Sequence, residues 1–427
     1  MTSLFPADAS AAPALKQLDE EPVESRSLPV TPASPTEVRQ AGWAIDDLWL
    51  PAVICDGPAV EHNLSRFARW CTDRRVGHAP HGKTTMAPGL WSEQIRHGAW
   101  AITAATVAQA RTMRTYGVPR VLLANEVVDP AQARWVGEAA DDTDFSLLCL
   151  VDSMAGADAM QQAWESAGSS APVDMLLEVG VPGRRSGVRN LDAALDVATA
   201  VAARSGLRLA GVEGFEGVLP TRRDDEAMAD ARRWLDRLTE VARRCDADGL
   251  FPDVDEVVVT AGGSAYVDLV VEAFHAMPAL SRPVRPVVRS GCYVTHDHMS
   301  YERSSPLRSS ADPDPLQPAL RCLARVLSCP EPGRALLGAG KRDVAFDLDL
   351  PVPLVIRRAG SSTPVEGRAR IVELNDHHAF CDHENLLQVG DVVELGLSHP
   401  CTVFDKWPLI PVVDGQERVV DAIRTVF

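Results

Sequence analysis

The sequence predicts an α/β protein in which a (β/α)8 TIM-type barrel is followed by a C-terminal all-β domain. Eight short apolar runs alternate with amphipathic helical runs over roughly 220 residues, which is the length and period of such a barrel. After Tyr293 the pattern changes to short strand-like runs separated by Pro, Gly and Asp, as in a small β domain. A doubly wound sheet is the competing arrangement. Eight regular units with polar loops after most strands favour the barrel.

The 427 residues divide into four predicted segments. Residues 1–40 are rich in Pro, Ala, Ser and Glu, and we expect a flexible N-terminal arm. Residues 41–56 carry the apolar run Ala-Val-Ile, which we expect to add a strand to the β domain. Residues 57–295 form the predicted barrel, and residues 296–427 form the predicted β domain.

The individual elements follow from hydrophobic periodicity. The predicted barrel strands are 76–79, 99–103, 120–124, 146–151, 174–179, 207–212, 256–259 and 286–288. The predicted helices are 58–70, 105–116, 130–140, 154–166, 191–205, 224–244 and 266–276. The strand-like runs of the β domain are 319–328, 335–337, 354–356, 369–374, 378–381, 392–396 and 418–425.

Composition limits the classes of partner. The net charge of −17 argues against nucleic acid or an anionic membrane surface. The nine cysteines are an odd number without a CxxC pair, which favours reduced thiols in a cytoplasmic protein. No apolar run approaches a membrane span in length, and the N-terminus lacks the order of a signal peptide. We therefore expect neither nucleic acid nor a membrane as a partner.

A lysine follows the first predicted barrel strand, in the turn Pro80-His81-Gly82-Lys83-Thr84. A lysine at the C-terminal end of a barrel strand is well placed to form a Schiff base. The alternative is an ordinary solvated loop lysine.

Glycine turns follow the last two predicted barrel strands. Gly262-Gly263-Ser264 comes after the seventh strand, and Gly291-Cys292 comes after the eighth. Barrel enzymes often bind phosphate at these two loops, because glycine lets backbone N–H groups approach phosphate oxygens. A lysine amine together with a phosphate site favours pyridoxal 5'-phosphate as cofactor.

Five motifs resemble those of a known family. They are Pro80-His81-Gly82-Lys83-Thr84, Glu178-Val179 with Arg185-Ser186-Gly187, Gly214-Phe215-Glu216-Gly217, Gly262-Gly263-Ser264, and Ser398-His399-Pro400-Cys401. Over residues 45–425 the chain resembles the D-serine dehydratase and D-threonine aldolase family. That family is the metal-activated branch of the alanine-racemase-like, fold type III pyridoxal-phosphate enzymes.

The resemblance implies a role for each matching residue. Lys83 matches the lysine that carries the cofactor and moves the α-proton, and Arg185 matches an arginine beside the cofactor's phenolic oxygen. His399 and Cys401 match a metal pair near the substrate's β-hydroxyl. The residues implied in phosphate binding, together with an aromatic residue that faces the cofactor, are Gly262, Gly263, Ser264, Gly291, Cys292 and Tyr293.

The metal pair also has a physical basis in the residues. In a strand or extended loop, the alternate positions of His399 and Cys401 can face one side. Imidazole and thiolate together suit zinc and leave positions open for water or substrate. Two further groups, His296-Asp297-His298 and the residues between Asp376 and His383, are expected mainly to form hydrogen bonds, with ligation by the first group as the alternative. For His81 we prefer a packing or hydrogen-bonding role to that of a general base.

The chain departs from the family pattern at Gly180 and Pro182, where Asp and Gly are common, and at Phe215, where Tyr is common. Because of these departures, the resemblance predicts the class of reaction but does not fix which substrate is used. The expected activity is elimination of the β-hydroxyl of a D-amino acid such as D-serine, because the resemblance associates His-x-Cys with dehydratases. The alternatives are an aldolase that cleaves the Cα–Cβ bond and a non-catalytic cofactor-binding protein. The resemblance further implies a small-molecule substrate, a D-amino acid, and a homodimer.

Overall fold

The computed structural model describes residues 12–427. The first half contains α1 (Pro13–Glu20), α2 (Pro35–Ala41), β1 (Ala52–Asp56), α3 (Gly57–Asp73), β2 (Gly77–His78), α4 (Pro88–Arg96), β3 (Ile102–Ala104), α5 (Val107–Thr115), β4 (Arg120–Glu126), α6 (Pro130–Ala140), β5 (Ser146–Val151), α7 (Met154–Ala167), β6 (Val173–Val179), α8 (Leu191–Ala202) and β7 (Leu207–Gly214). The second half contains α9 (Asp225–Ala247), β8 (Val257–Ala261), α10 (Val267–Ala276), β9 (Val284–Val288), α11 (Ser300–Ser304), β10 (Leu320–Glu331), β11 (Arg334–Leu337), β12 (Val352–Arg358), β13 (Ser361–Pro364), β14 (Ala369–Leu374), β15 (Ala379–His383), β16 (Val392–Gly396), α12 (Cys401–Phe404), β17 (Leu409–Val413) and β18 (Val419–Arg424). No helix within the described residues has the length and hydropathy needed to cross a membrane.

Strands β2 to β9 form one parallel sheet in the order β2-β9-β8-β7-β6-β5-β4-β3. The two edges of this sheet meet, because His81 and Thr103 form a parallel bridge just beyond β2. The Thr103 amide donates to the Pro80 carbonyl at 2.8 Å, and the Thr103 hydroxyl donates to the Ala79 carbonyl at 2.6 Å. The predicted (β/α)8 barrel with an all-β C-terminal domain is confirmed.

Polar caps fix where five of the barrel helices begin. Thr106, Asp129, Ser153, Asn190 and Asp224 each accept, through a side-chain oxygen, the backbone N–H three residues further on. These bonds satisfy N–H groups that have no partner inside the helix. Each cap follows the C-terminal end of a barrel strand, so the loops between strand and cap lie together at that face of the barrel.

The second sheet contains strands from both ends of the chain. Its main path is β13-β12-β16-β10-β1-β17-β18, and β11, β15 and β14 continue from β10. Strand β1 runs antiparallel to β10, with Ala52 opposite Leu323, and parallel to β17. Val53 packs into the large core shared with the barrel, whereas Ile54 packs into a smaller core on the other face. Both faces of β1 are therefore buried.

Two strands of the β domain lie outside the predicted runs. Strand β13 has a fully exposed Ser-Ser-Thr-Pro sequence at the sheet edge and thus lacks hydrophobic alternation. Strand β17 is buried at every position, so it lacks the period of two that marks a half-buried strand, and Pro411 interrupts it. The other strands were predicted from hydrophobic alternation or from uninterrupted apolar runs, and neither β13 nor β17 shows such a pattern.

Residues 12–40 differ from the predicted flexible arm. They form α1 and α2, and Val38 is fully buried in the smaller core. The Pro and Ser residues that suggested an unfolded segment instead start a helix. Ser34 and Glu37 form a reciprocal capping box, and Pro35 occupies the first turn, where proline is favourable. Residues 1–11 lie outside the described residues.

Candidate active site

Lys83 lies in a single 3-10 turn, Gly82–Thr84, directly after the first barrel strand. Glycine is required before the lysine, because a Cβ at Gly82 would lie 2.5 Å from Ile102 Cγ2 and 2.8 Å from Trp91 Nε1. Trp91 Nε1 also donates to the Gly82 carbonyl at 3.1 Å. Packing against the barrel interior thus fixes the turn, and Lys83 itself is half-buried at the barrel mouth.

A cleft of about 960 Å³ opens beside Lys83 at the C-terminal face of the barrel. The chain has four lysines, at positions 16, 83, 341 and 406, and among them Lys83 lines this cleft. Arg185 also lines it, with its guanidinium carbon 5.5 Å from the centroid of the Phe215 ring. The remaining ionisable lining residues are His81, Glu178, Glu213 and Arg289.

His81 is enclosed by positive charge. Its Nδ1 atom is buried and has no hydrogen-bond partner among the described residues. Burial is the largest effect on its pKa, and the charges of Arg289, Lys83 and Arg185 act in the same direction, so that this pKa falls well below the ordinary value. The imidazole is neutral, and Nδ1 can bind a polar group in the cleft.

The predicted glycine loops adjoin the Lys83 turn. Gly262 has a φ of +131°, a backbone conformation that residues other than glycine rarely adopt. A Cβ at Gly291 would lie 2.7 Å from His81 Cβ and 2.8 Å from the His81 carbonyl oxygen. The loop after β9 therefore touches the turn that carries Lys83, and any larger residue at position 291 would push the two apart.

A second, much smaller cavity lies beside these loops. It borders Val267 at the start of α10, and helix N-termini favour anions. Its lining includes Ser264, Ser290, Cys292, Tyr293, His296 and Tyr301. The predicted phosphate residues Ser264 and Cys292 thus face one cavity.

The Gly263 amide already has an acceptor within the protein. It donates to Glu216 Oε1 at 2.6 Å, and the Glu216 side chain is fully buried. Burial raises the pKa of Glu216, and the hydrogen bonds from the Gly262 and Gly263 backbone oppose this shift. Glu216 therefore supports the glycine loop and occupies one N–H group that the sequence assigned to phosphate.

His399 and Cys401 lie next to the Lys83 turn. Cys401 Sγ is 3.4 Å from Thr84 Oγ1, and Thr84 directly follows the lysine. The two residues do not lie on a strand. His399 has a φ of +47° in a turn, and Cys401 begins the short helix α12. Asp347 Oδ2 is 2.5 Å from His399 Nδ1, which leaves the other ring nitrogen for a metal, as in carboxylate–histidine–zinc arrangements.

The groups around Cys401 favour its thiolate. The hydrogen bond from Cys292 is the largest effect, and together with His399 and Thr84 it lowers the Cys401 pKa well below the ordinary value, against the effect of burial. Burial lowers the His399 pKa, but Cys401 and Asp347 outweigh it and raise this pKa to about 9. A thiolate beside an imidazole is a donor set that suits zinc. The residues present therefore fit the predicted metal pair.

Asp297, in the loop after β9, is hydrogen-bonded to the segment that carries the predicted metal pair. Its Oδ2 accepts the His399 backbone N–H at 3.0 Å. Its Oδ1 accepts the N–H groups of Met299 at 2.9 Å and Tyr301 at 2.8 Å. The central residue of the His296-Asp297-His298 group thus holds the backbone of His399 and the start of α11 in one place.

The other predicted polar residues have local partners or are packed in the interior. His296 Nε2 is 3.0 Å from Glu302, and burial lowers the pKa of His298 to about 4. The Tyr293 ring packs against Phe67 at 4.5 Å and borders the smaller cavity rather than the Lys83 cleft. The group between Asp376 and His383 lies in and before β15, in the β domain.

Sequence analysis missed an acidic group at the cleft. Carboxylate oxygens of Glu126, Asp152 and Glu178 lie within 4.8 Å of one another at the ends of β4, β5 and β6. Burial, with the charges of Asp152 and Glu178, raises the Glu126 pKa to about 9. Their position at the C-terminal ends of barrel strands is the signal that could have found them. The predicted strand 120–124 stopped short of Glu126.

Arg289 is a second missed residue. It directly follows β9, is 1% exposed, and forms an ion pair with the buried Glu213. It also donates to the Gly214 carbonyl at 2.8 Å and to Thr260 at 3.2 Å. Burial raises the Glu213 pKa to about 7, against the opposing charge of Arg289. These contacts hold the guanidinium of Arg289 in place, so that a positive charge lines the cleft.

Comparison with known proteins gives two family matches. The family described as "Alanine racemase, N-terminal domain" matches residues 55–277, and the family described as "Putative serine dehydratase domain" matches residues 319–413. A D-threonine aldolase from Arthrobacter sp is 27% identical over 304 residues, which cover 70% of this chain and 74% of the relative.

Solved structures agree with these matches. A D-threonine aldolase from Filomicrobium marinum superposes with a TM-score of 0.77 at 25% identity, covering 90% of this chain and 97% of that one. A D-threo-3-hydroxyaspartate dehydratase from Delftia sp. HT23 superposes with a TM-score of 0.71 at 21% identity, covering 90% and 99%. The D-threo-3-hydroxyaspartate dehydratase is also known as two variants, in which a histidine and a cysteine two positions apart are each replaced by alanine, the cysteine variant in a metal-free form.

The barrel, the β domain and the matches together define an alanine-racemase-like protein of the pyridoxal-phosphate-dependent class. Within that class, the chain belongs to the D-serine dehydratase and D-threonine aldolase family that its motifs indicated.

Gly291→Ala tests the contact between the two loops. The added Cβ has to displace the His81 backbone, and overpacking of this kind costs ~1–3 kcal/mol. We expect pyridoxal phosphate to bind about tenfold more weakly, measured by spectral titration. Gly415→Ala is the matched control, since a Cβ there meets open space. Equal cofactor affinity in both variants would show that the Gly291 contact does not shape the cofactor site.

Proposed function

We propose that the protein is a zinc- and pyridoxal-phosphate-dependent lyase that eliminates the β-hydroxyl of a D-amino acid such as D-serine, giving an α-keto acid and ammonia. The supporting observation is the convergence of three groups on one turn. His81 contacts Gly291 of the phosphate loop, Lys83 lines the cleft, and Thr84 contacts Cys401 of the metal pair. An amine, a cavity lined by predicted phosphate residues and a thiolate–imidazole pair therefore adjoin the same turn.

Each side chain has a role in the proposed reaction. Lys83 would hold the cofactor covalently, and its free amine would remove the proton from the substrate α-carbon. Bound pyridoxal phosphate supplies the electron sink for the α-carbanion, and a bound zinc ion supplies a Lewis acid. Arg185, Ser264 and the backbone of Gly291 and Cys292 bind and orient the cofactor. Of the predicted loop residues, Gly262 and Gly263 shape the turn.

His399 and Cys401 are the proposed zinc ligands. Asp347 orients the imidazole, Asp297 holds its backbone, and Cys401 contacts Thr84 next to Lys83. Two protein ligands leave coordination positions for the substrate hydroxyl. These residues hold the β-hydroxyl where it can leave as the α-proton is removed.

Elimination is preferred to aldol cleavage because of Cys401. The dehydratase among the solved relatives has variants at a histidine and a cysteine with the same two-residue spacing, and the cysteine variant is described in a metal-free form. Aldol cleavage is the second candidate, and the similarity to two D-threonine aldolases favours it. Cleavage requires a separate base for the β-hydroxyl, and the imidazole of His81, which lines the cleft with Lys83, is a candidate.

A product assay tests the proposed reaction. The purified protein is loaded with pyridoxal phosphate and zinc, and is then incubated with D-serine, D-threonine and D-3-hydroxyaspartate. An α-keto acid with equal ammonia supports elimination. Glycine with an aldehyde from D-threonine contradicts it and supports the aldolase. Bound cofactor without turnover of any substrate supports a non-catalytic cofactor-binding protein.

Lys83→Ala removes the proposed covalent attachment. We expect borohydride to fix pyridoxal phosphate to the wild-type chain at residue 83 and to leave the variant unlabelled, as seen by intact mass. Turnover should fall by at least ~10³-fold, because the same amine moves the proton. Lys341→Ala, which changes a lysine away from the cleft, is the control. Labelling of the variant at another lysine would contradict the assignment.

Cys401→Ala tests the metal pair. We expect zinc content after dialysis to fall from about one ion per chain to well below one, since a single imidazole holds zinc poorly. Elimination should fall with it, and both are measured on the same preparation. Cys329→Ala, at an exposed cysteine in the β domain, is the control. An unchanged zinc content in Cys401→Ala would contradict this assignment and point to the His296-Asp297-His298 group as the zinc site.

We also propose a homodimer in the cytoplasm. Phe346, Leu348 and Leu350 are 44%, 54% and 36% exposed, and they flank the Asp347 that orients His399. Such an apolar rim favours contact with a second subunit. We expect sedimentation velocity to give a dimer and Leu348→Asp to give a monomer, with the exposed Val389→Asp as control. A monomeric wild-type chain would contradict the proposal.

A further inference from the structure

Two thiols from distant parts of the chain meet between the barrel and the β domain. Cys292 Sγ lies 3.7 Å from Cys401 Sγ, and the two residues are 109 positions apart. Cys292 begins the short turn after β9, and Cys401 begins α12. All nine cysteines are free thiols. Within residues 12–427, this is the pair whose sulfur atoms are in contact.

The surroundings of the pair suit a chemical reaction between the sulfurs. Cys401 is half-buried and Cys292 is 6% exposed, so a small oxidant reaches Cys401 first. Thr84 Oγ1 contacts Cys401, and the His399 backbone two residues earlier is held by Asp297. The two sulfurs are already in contact, and a disulfide would shorten their separation from 3.7 Å to about 2 Å.

We propose that Cys292 and Cys401 are an oxidation site that forms a reversible disulfide with a peroxide. The Cys401 thiolate attacks one peroxide oxygen, the O–O bond breaks, and the products are a sulfenic acid and hydroxide. The Cys292 thiol then attacks the sulfur of that sulfenic acid, the S–O bond breaks, and water leaves as the disulfide forms. Two thiols lose two electrons and two protons in total, and one hydrogen peroxide becomes two waters.

The disulfide has a consequence for the metal pair. A sulfur engaged in a disulfide has no thiolate charge to offer zinc, so oxidation removes one of the two proposed ligands. This consequence rests on the proposed function, whereas the disulfide rests only on the contact between the thiols. The two parts can therefore fail separately.

The test uses the full chain loaded with pyridoxal phosphate and zinc. The protein is treated with a small excess of hydrogen peroxide, blocked with N-ethylmaleimide and digested without reduction. Trypsin alone leaves Cys381 and Cys401 in one peptide, but cleavage after Glu394 separates them. We expect a linked pair of peptides that carry Cys292 and Cys401, and reversal by dithiothreitol. In a sample taken before blocking, the intact chain should be about 2 Da lighter than the reduced one.

Two variants and one treatment test the roles of Cys292 and of zinc in the linkage. Cys329→Ser keeps both partners and should form the same linked peptides. In Cys292→Ser, Cys401 should instead gain oxygen and progress to forms that dithiothreitol does not reverse. Removal of zinc by a chelator should speed linkage in the wild type, because a metal-bound thiolate is a poorer nucleophile. The wild-type measurement stands even if Cys292→Ser fails to fold.

The outcomes separate the two parts of the inference. Free Cys292 and Cys401 after peroxide, or a link from either one to another cysteine, would overturn the oxidation site. A Cys292–Cys401 link with full zinc retention would support the oxidation site and contradict the metal assignment of Cys401. Linkage with loss of zinc, restored by dithiothreitol and added zinc, supports both.

Discussion

The close approach of Gly291 to His81 is the contact on which the candidate site depends. The first and last barrel strands, β2 and β9, are paired neighbours, and beyond them the backbone of the last loop lies against the backbone of the first. Only a residue without a side chain permits this distance. The contact brings the lysine turn and the predicted phosphate loop together, although 208 residues separate Lys83 from Gly291 in the chain. The closure of the barrel and the assembly of the site are therefore one packing event.

The β domain contributes to the site through carboxylates that hold other residues in place. Asp347 fixes the imidazole of His399, and Asp297 fixes its backbone while also capping the start of α11. Neither carboxylate needs to touch a substrate. They hold a histidine with a positive φ in a turn that would otherwise be strained. The metal pair is thus held by charge and hydrogen bonds, whereas the Lys83 turn is held by steric packing against the barrel wall.

The fold and the identity of the candidate residues were largely predictable, because both rest on local patterns. Each barrel strand is an apolar run, and the motifs around Lys83 and Cys401 are contiguous in sequence. What was not predictable depends on distant neighbours. Arg289 lines the cleft while paired with Glu213 on another strand, and Glu126 meets Glu178, a cleft residue, from a neighbouring strand.

Two other features of the structure were not predicted, and both depend on contacts with residues that are distant in the chain. Residues 12–40 were expected to be flexible because of their composition, but Val38 has a core to enter only once the β domain has formed. The pairing of Cys292 with Cys401 requires the barrel and the β domain to be docked, so neither sequence position reveals it.

The position of β1 in the middle of the second sheet has a consequence for synthesis on the ribosome. Ala52 pairs with Leu323, so the strand leaves the ribosome long before its neighbours exist. Until then, an apolar segment that is buried on both faces in the finished protein stays exposed to water while the whole barrel is translated. Contacts of such long sequence separation form late and slowly. A chaperone that shields residues 52–56 during translation would therefore raise the yield of folded chain, and a fragment that ends before β10 would retain an exposed, aggregation-prone edge.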